Sequence, residues 1–203
     1  ITNLQRLGVP VFDDCRRSLR FESLFIYIDS VLSCISSGFT QEGVFTYLKS
    51  GLSSLDLSQI SRLEKYALVW GINGNSWAED FTMHPDGFGN VLDEKAQAQL
   101  DALNESRKKA VLPLLKLKKD CVDKTGAEIS EAVYSFLKDQ HISDRLFDLY
   151  SQLDENGFSV EAQRQAVSWD MLMKLLNTMA VLTDGKHTTI KRWTELFNIL
   201  VET

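Results

Sequence analysis

The spacing of apolar residues between Leu92 and Cys121 constrains this chain more than any other feature. Leu92, Ala96, Leu100, Leu103, Val111, Leu114, Leu117 and Cys121 recur at steps of three, four or their sums. That is the period of one face of a helix, not of a strand. A run of this length predicts a helix of about eight turns. A helix so long, apolar on one side, needs other helices to cover it. Pro113 lies inside the run and is expected to kink the helix or split it in two.

The same period recurs on both sides. Phe21, Leu24, Phe25, Ile28, Leu32 and Ile35 trace a broad buried face, so this helix is expected to be central; Ser36-Ser37-Gly38 ends it. Thr40 is placed to cap a helix with Val44, Phe45 and Leu48 inward and Gly51 as its terminator. Asp56 or Ser58 caps the next, whose inward residues are Ile60, Leu63, Ala67 and Trp70. Gly71 then stands where a helix end requires a positive φ. Ile72 is placed to pack back on the last turn, Gly74 makes a second turn, and Trp77 is large enough to need cover. Residues 78–91 read as a polar excursion with Phe81, Phe88 and Val91 as anchors.

Gly126 breaks the pattern after the long helix. Ile129, Val133, Phe136 and Leu137 form a further helix ending near His141. Ser143 or Asp144 is expected to cap one carrying Leu146, Leu149, Tyr150 and Leu153. Ser159 opens a long helix through Ala166, Trp169, Leu172, Met173, Leu176, Met179 and Ala180. Thr188 or Thr189 caps a last helix with Ile190, Trp193, Phe197 and Leu200 inward. Only Leu7 to Asp14, punctuated by Gly8 and Pro10, reads as extended. The fold class is therefore all-α: a bundle of about eight helices with a short extended N-terminal segment. Residues 1–20 form the lead-in and 21–203 one helical domain, in one body or in two lobes split near 78–91.

Composition bears on partners and compartment. The 203 residues carry 28 acidic and 22 basic side chains, a formal net charge of −6. That balance argues against a strongly basic nucleic-acid binder and leaves room for local basic faces. Cys15, Cys34 and Cys121 are scattered and odd in number, so neither a zinc cage nor a disulfide framework is expected, and a cytoplasmic setting follows. No apolar run is long enough to span a bilayer. The first residue is Ile1 rather than methionine, which reads as a piece of something longer.

Few residue constellations suggest chemistry. His84 stands near Glu79, Asp80 and Asp86, but the spacing matches no metal-ligand frame and reads as a solvated loop. Gly185-Lys186-His187-Thr188 lacks the earlier glycine and the hydroxyl residue of a phosphate loop and reads as a helix-to-helix turn. Asp13-Asp14 reads as a turn, and no G-x-S-x-G elbow exists. No catalytic residue, metal ligand or cofactor is expected within this chain. Two basic clusters remain: Arg16, Arg17 and Arg20 before the first helix, and Arg107, Lys108, Lys109, Lys116, Lys118 and Lys119 along the long one. Lys108, Lys109, Lys116 and Lys119 partly share a face and suit a phosphate backbone. The alternative is a solvated face whose lysines favour the helix's C-terminal dipole.

Several segments resemble, in order, the B subunit of the bacterial AddAB helicase–nuclease, called RexB in some lineages. Gly8-Val9-Pro10-x-Phe12-x-Asp14 resembles that family's G-I-P-x-F-x-D. Val44-Phe45-x-Tyr47-Leu48-Lys49-x-Gly51-Leu52 resembles its V-F-x-Y-L-K-T-G-L. Arg62-Leu63-Glu64-x-Tyr66 followed by Gly71-Ile72-x-Gly74-x-x-Trp77 resembles R-L-E-N-Y…G-I-x-G-x-x-W. Arg107, Pro113-Leu114 and Ala166-x-x-Trp169 also fall where the family has similar residues.

The resemblance implies a place within a UvrD-type superfamily 1 helicase carrying an added nuclease domain. The Gly8-to-Asp14 segment would enter helicase motif IV, with Arg20 laid on the motif arginine that contacts nucleotide, although the Phe-Phe-Glu before it is missing. The helices that follow would form the inserted subdomain called 2B. ATP, magnesium and the family's iron–sulfur cluster would be bound elsewhere in the longer protein. The implied partners are the A subunit and single- or double-stranded DNA, with no membrane. A competing reading is an autonomous helical adaptor that binds another protein.

Overall fold

The computed structural model describes residues 19–202. The expected extended segment, Arg16 and Arg17 lie outside the described residues. A single 3-10 turn, Leu19–Phe21, leads into eight α-helices among the described residues. They are α1 (Ser23–Ser36), α2 (Gln41–Leu48), α3 (Leu57–Trp70), α4 (Glu94–Asp120), α5 (Gly126–Asp139), α6 (Ile142–Glu155), α7 (Ser159–Leu182) and α8 (Ile190–Glu202). A second 3-10 turn, Gly74–Ala78, follows α3. The fold is the all-α bundle that the periodicity dictates.

α1 is the centre. Leu24, Tyr27, Ile28 and Leu32 on it are fully buried, and it packs against α2, α4, α7 and α8. α6 and α7 form an antiparallel pair along their length, and α5 lies against both. One contiguous apolar cluster runs from Leu24 through Trp77, Leu114 and Leu172 to Val201.

Local signals fix the helix ends. Thr40 Oγ1 accepts the Gly43 N–H at 3.2 Å. Asp56 Oδ1 accepts the Gln59 N–H at 2.8 Å while Gln59 Oε1 accepts the Asp56 N–H at 3.0 Å, a reciprocal capping box. Gly71 closes α3 at φ 63°, and the Ile72 N–H donates to the Ala67 carbonyl at 3.0 Å. Thr189 Oγ1 accepts the Arg192 N–H at 3.2 Å and opens α8.

The structure departs from the sequence reading in four places. α4 runs through Pro113 as one helix of 27 residues, so of the kink or split expected there the split does not occur. The missing backbone bond is outweighed by burial of Ala110, Val111, Leu114 and Leu117 on either side of the proline. α6 begins at Ile142, so Ser143 and Asp144 lie in its first turn; the capping position is His141, held at φ 52° with no side-chain cap bond. Side chains expected inward are exposed at Phe21 in the turn before α1, at Phe88, which lies against Trp70, and at Val91, which anchors nothing, whereas Phe81 is buried.

The fourth departure is a pair of two-residue strands, β1 (Lys124–Thr125) and β2 (His187–Thr188), paired antiparallel. They tie the turn before α5 to the turn before α8. Gly126 sits against this tie, and a Cβ there would run into the side chain of Thr183. A two-residue ladder carries no alternation for a sequence to reveal. The Gly185-Lys186-His187-Thr188 turn is therefore a structural clasp.

Candidate nucleic-acid interface

The second half of α4 presents the basic face. At 3.6 residues per turn, Lys108, Lys109, Lys116 and Lys119 fall within an arc of roughly 100°. The buried residues Leu100, Leu103, Ala110, Val111, Leu114 and Leu117 fill the opposite side. The side chains of Lys109 and Lys119 are exposed and make no hydrogen bond or ion pair with another described residue. Lys108 Nζ lies 3.5 Å from Glu105 Oε1 and 3.9 Å from Asp80 Oδ1. Lys116 Nζ donates to Asp139 Oδ2 at 3.1 Å, and this bond raises the lysine's pKa. Lys116 therefore stays charged at neutral pH.

The face borders a groove. Lys108, Leu112, Pro113, Lys116 and Asp120 on one wall meet Ser135, Phe136 and Asp139 of α5 on the other, around about 410 Å³. Leu112 is partly exposed between the lysines. Asp120, Asp139 and Glu105 moderate the positive field. Such exposed pairs exchange readily with other ions and hold their lysines weakly.

Two basic residues stand apart from this face. Arg20 Nη1 pairs with Glu202 Oε1 at 2.8 Å, beside α1 and α8. Lys118 places its ammonium 5.3 Å from the centre of the Phe39 ring.

Arg107 leaves the surface altogether and is only 2% exposed. Its Nη1 donates to the Trp77 carbonyl at 2.9 Å, its Nε to Asn104 Oδ1 at 3.4 Å, and its Nη2 to Asp80. The guanidinium lies 5.6 Å from the Phe81 ring centre. Asn104 brackets the same loop, accepting the Phe81 N–H at 2.7 Å and donating to its carbonyl at 2.9 Å. The burial of Arg107 and the role of Asn104 escape the sequence because both interrupt an apolar stripe. Their signal is their phase: at 100° per residue Arg107 falls between Leu114 and Leu100 on the buried arc, and Asn104 falls about 20° past Val111 at its edge.

Two of the segments that carry the resemblance, residues 44–52 and 62–77, meet in space. Lys49 Nζ pairs with Glu64 Oε1 at 2.6 Å, joining α2 to α3. Trp77 is fully buried, edge-on to Phe45 at 5.8 Å and to Phe81 at 6.1 Å. Tyr66 stacks on Phe81 at 4.5 Å, and its hydroxyl accepts the Met83 N–H at 3.0 Å and donates to the Met83 carbonyl at 3.2 Å. Leu63 is fully buried beside them. The Gly74 N–H, at φ 57°, donates to the Phe39 carbonyl at 2.9 Å. Arg62 alone among these residues points into an open trough between α3 and α4. Together they form a joint that fastens loop 71–93 to α2, α3 and α4.

His84 Nδ1 accepts the Asp86 N–H at 3.0 Å, a bond that shapes its own turn. Among the described residues no group of three or more His, Cys, Asp or Glu side chains is placed to hold a metal. None of the described helices is long and apolar enough to cross a membrane.

No family model matches the chain. Individual relatives do, and each is the B subunit of an ATP-dependent helicase/deoxyribonuclease. The chain is 29% identical over 196 residues to the one from Clostridium botulinum strain Loch Maree, covering 95% of this chain and 17% of the relative. It is 25% identical over 195 residues to the one from Caldanaerobacter subterraneus subsp. tengcongensis, with coverage of 95% and 17%. Against that of Clostridium acetobutylicum the identity is 22% over 196 residues, covering 94% and 17%. The chain is homologous, over nearly all its length, to one segment of those proteins and spans about 17% of their length.

Proposed function

We propose that this chain is the 2B-like helical subdomain of the B subunit of an ATP-dependent helicase/deoxyribonuclease that processes double-strand DNA breaks for recombinational repair. Residues 21–203 form the subdomain, and residues 1–20 lead into it from the motif IV region. Its role is non-catalytic: it contacts DNA and the A subunit in the cytoplasm. ATP, magnesium and the iron–sulfur cluster serve the longer protein at other sites.

The observation that carries the DNA reading is the placement of Lys108, Lys109, Lys116 and Lys119 on one outward face of a single rigid helix. Lysines so arranged track a phosphate backbone without reading bases. Arg16, Arg17 and Arg20 are proposed as further contacts nearer the motif IV region.

The test is amide chemical-shift mapping of the 203-residue chain titrated with a short DNA duplex. Shifts confined to α4 after Lys108 and to the facing side of α5 support the reading. Shifts centred on α6 and α7, or none at low salt, overturn it.

A further inference from the structure

We propose that the trough between α3 and the first half of α4 is a docking site for an acidic amphipathic helix of a partner protein. The trough encloses about 420 Å³ and shares no lining residue with the groove beside the basic face. It is a second surface with its own chemistry.

Its floor is apolar. Pro85 and Leu103 are buried at the bottom, and Ala98 and Ala102 lie one turn apart on α4 with exposed methyl groups. Small side chains at that spacing let another helix come close, at the 8–10 Å separation typical of packed helices. The α4 stretch from Lys95 to Ser106 is roughly 17 Å long, enough to support about three turns of a partner helix.

Its rim is cationic. Arg62 and Lys65 line it from α3 and Lys95 from α4, against Asp86 as the one lining carboxylate. Arg62 and Lys95 make no ion pair with a described residue. Lys65 Nζ holds Asp86 Oδ1 at 3.2 Å, with both side chains more than 60% exposed. A partner carboxylate exchanges into such a pair at little cost. In a chain with an acidic balance this rim is locally reversed in sign.

The lining selects a peptide over other ligands. No aromatic ring lines the trough, so it offers no platform for stacking bases. The Ser106 hydroxyl is already donated to the Ala102 carbonyl at 2.9 Å. An apolar floor with a charged rim is the arrangement of a helix-in-groove site, read by apolar anchors and flanked by charges that set the partner's sign.

The probe is a labelled synthetic helical peptide of about four turns with leucines at i, i+4 and i+7 and glutamates beside them. A matched peptide has lysines in place of the glutamates, and an oligothymidine strand is the third probe. Binding to the 203-residue chain is read by fluorescence anisotropy. The acidic peptide binds, the lysine peptide does not, and Arg62→Glu with Lys95→Glu weakens the acidic peptide at least about tenfold. Ala102→Arg, which fills the trough from an exposed position, abolishes binding while the circular-dichroism melt stays unchanged.

Failure of the acidic peptide to bind, or binding unaffected by these substitutions, overturns the proposal. So does oligothymidine binding that Arg62→Glu with Lys95→Glu removes, because the trough would then hold nucleic acid. Neither result bears on the lysines beyond residue 107, so the DNA reading stands or falls separately.

Discussion

Arg107 offers the sharpest test of how the joint is held. Truncation to Ala removes two methylenes from a buried site, worth roughly 1.6 kcal/mol in transfer terms. It also strands the Trp77 carbonyl, a buried acceptor whose loss costs about 1–3 kcal/mol. Asp80 adds little, because its side chain is 62% exposed and regains water when the arginine goes. The penalty of roughly 3–5 kcal/mol for an orphaned buried charge therefore does not apply. The expected total for Arg107→Ala is about 3–5 kcal/mol, the sum of the transfer and acceptor costs. Arg107→Met keeps the stem and loses only the hydrogen bonds, at about 1–3 kcal/mol. Urea unfolding followed by tryptophan fluorescence reads both, and at about 2 kcal/mol per molar urea the Met variant shifts the midpoint by roughly 1 M. A Met variant within about 0.5 kcal/mol of the parent refutes the reasoning, because the guanidinium would then contribute nothing net.

Trp77→Ala should lose about 3–5 kcal/mol of stability, since a fully buried indole leaves a cavity against Phe45 and Phe81. Trp77→Phe should lose far less: the indole Nε1 has no acceptor among the described residues, so no hydrogen bond is given up; equal losses in urea unfolding would count against this. Glu128 is held down to about 2 by its bond from Lys124 and by the Thr125 N–H and hydroxyl. A depressed carboxylate contributes stability above its unfolded value near 4.5, which is lost as pH falls toward 2, so Glu128→Gln should flatten the acid limb of the stability curve below pH 4.5. Burial pushes the Cys34 thiol up to about 12, so the unfolded chain ionises first. Stability should fall as pH rises above 9, the drop should shrink in Cys34→Ala, and iodoacetamide should leave native Cys34 unmodified at about pH 8.

Helix number, order and most caps were legible because their causes are local. Asp56 with Gln59, Thr40 and Gly71 act within four residues of themselves. The apolar stripe of α4 was legible for the same reason, as was the shared face of its four lysines. What escaped was set by contacts distant in sequence. The β1–β2 clasp joins residues far apart in the chain, and nothing in either dipeptide announces it. Arg107 reads with its lysine neighbours because charge predicts exposure. The Trp77 carbonyl, Asn104 and Asp80 reverse that expectation, two of them brought to it by loop 71–93. Pro113 signals a kink or a split, and tertiary burial keeps the helix from splitting. The trough beside Arg62 needed the pairing of α3 with α4 before its shape existed at all.

The most direct measurement is the salt dependence of duplex binding by the 203-residue chain and by a variant with Lys108, Lys109, Lys116 and Lys119 all reversed to glutamate. If these lysines sit on phosphates, the slope of log K against log salt should shrink by about 3 to 4, near 0.9 per contact, and affinity should fall similarly for every sequence tested. An unchanged slope, in a variant that melts like the parent, would contradict the account.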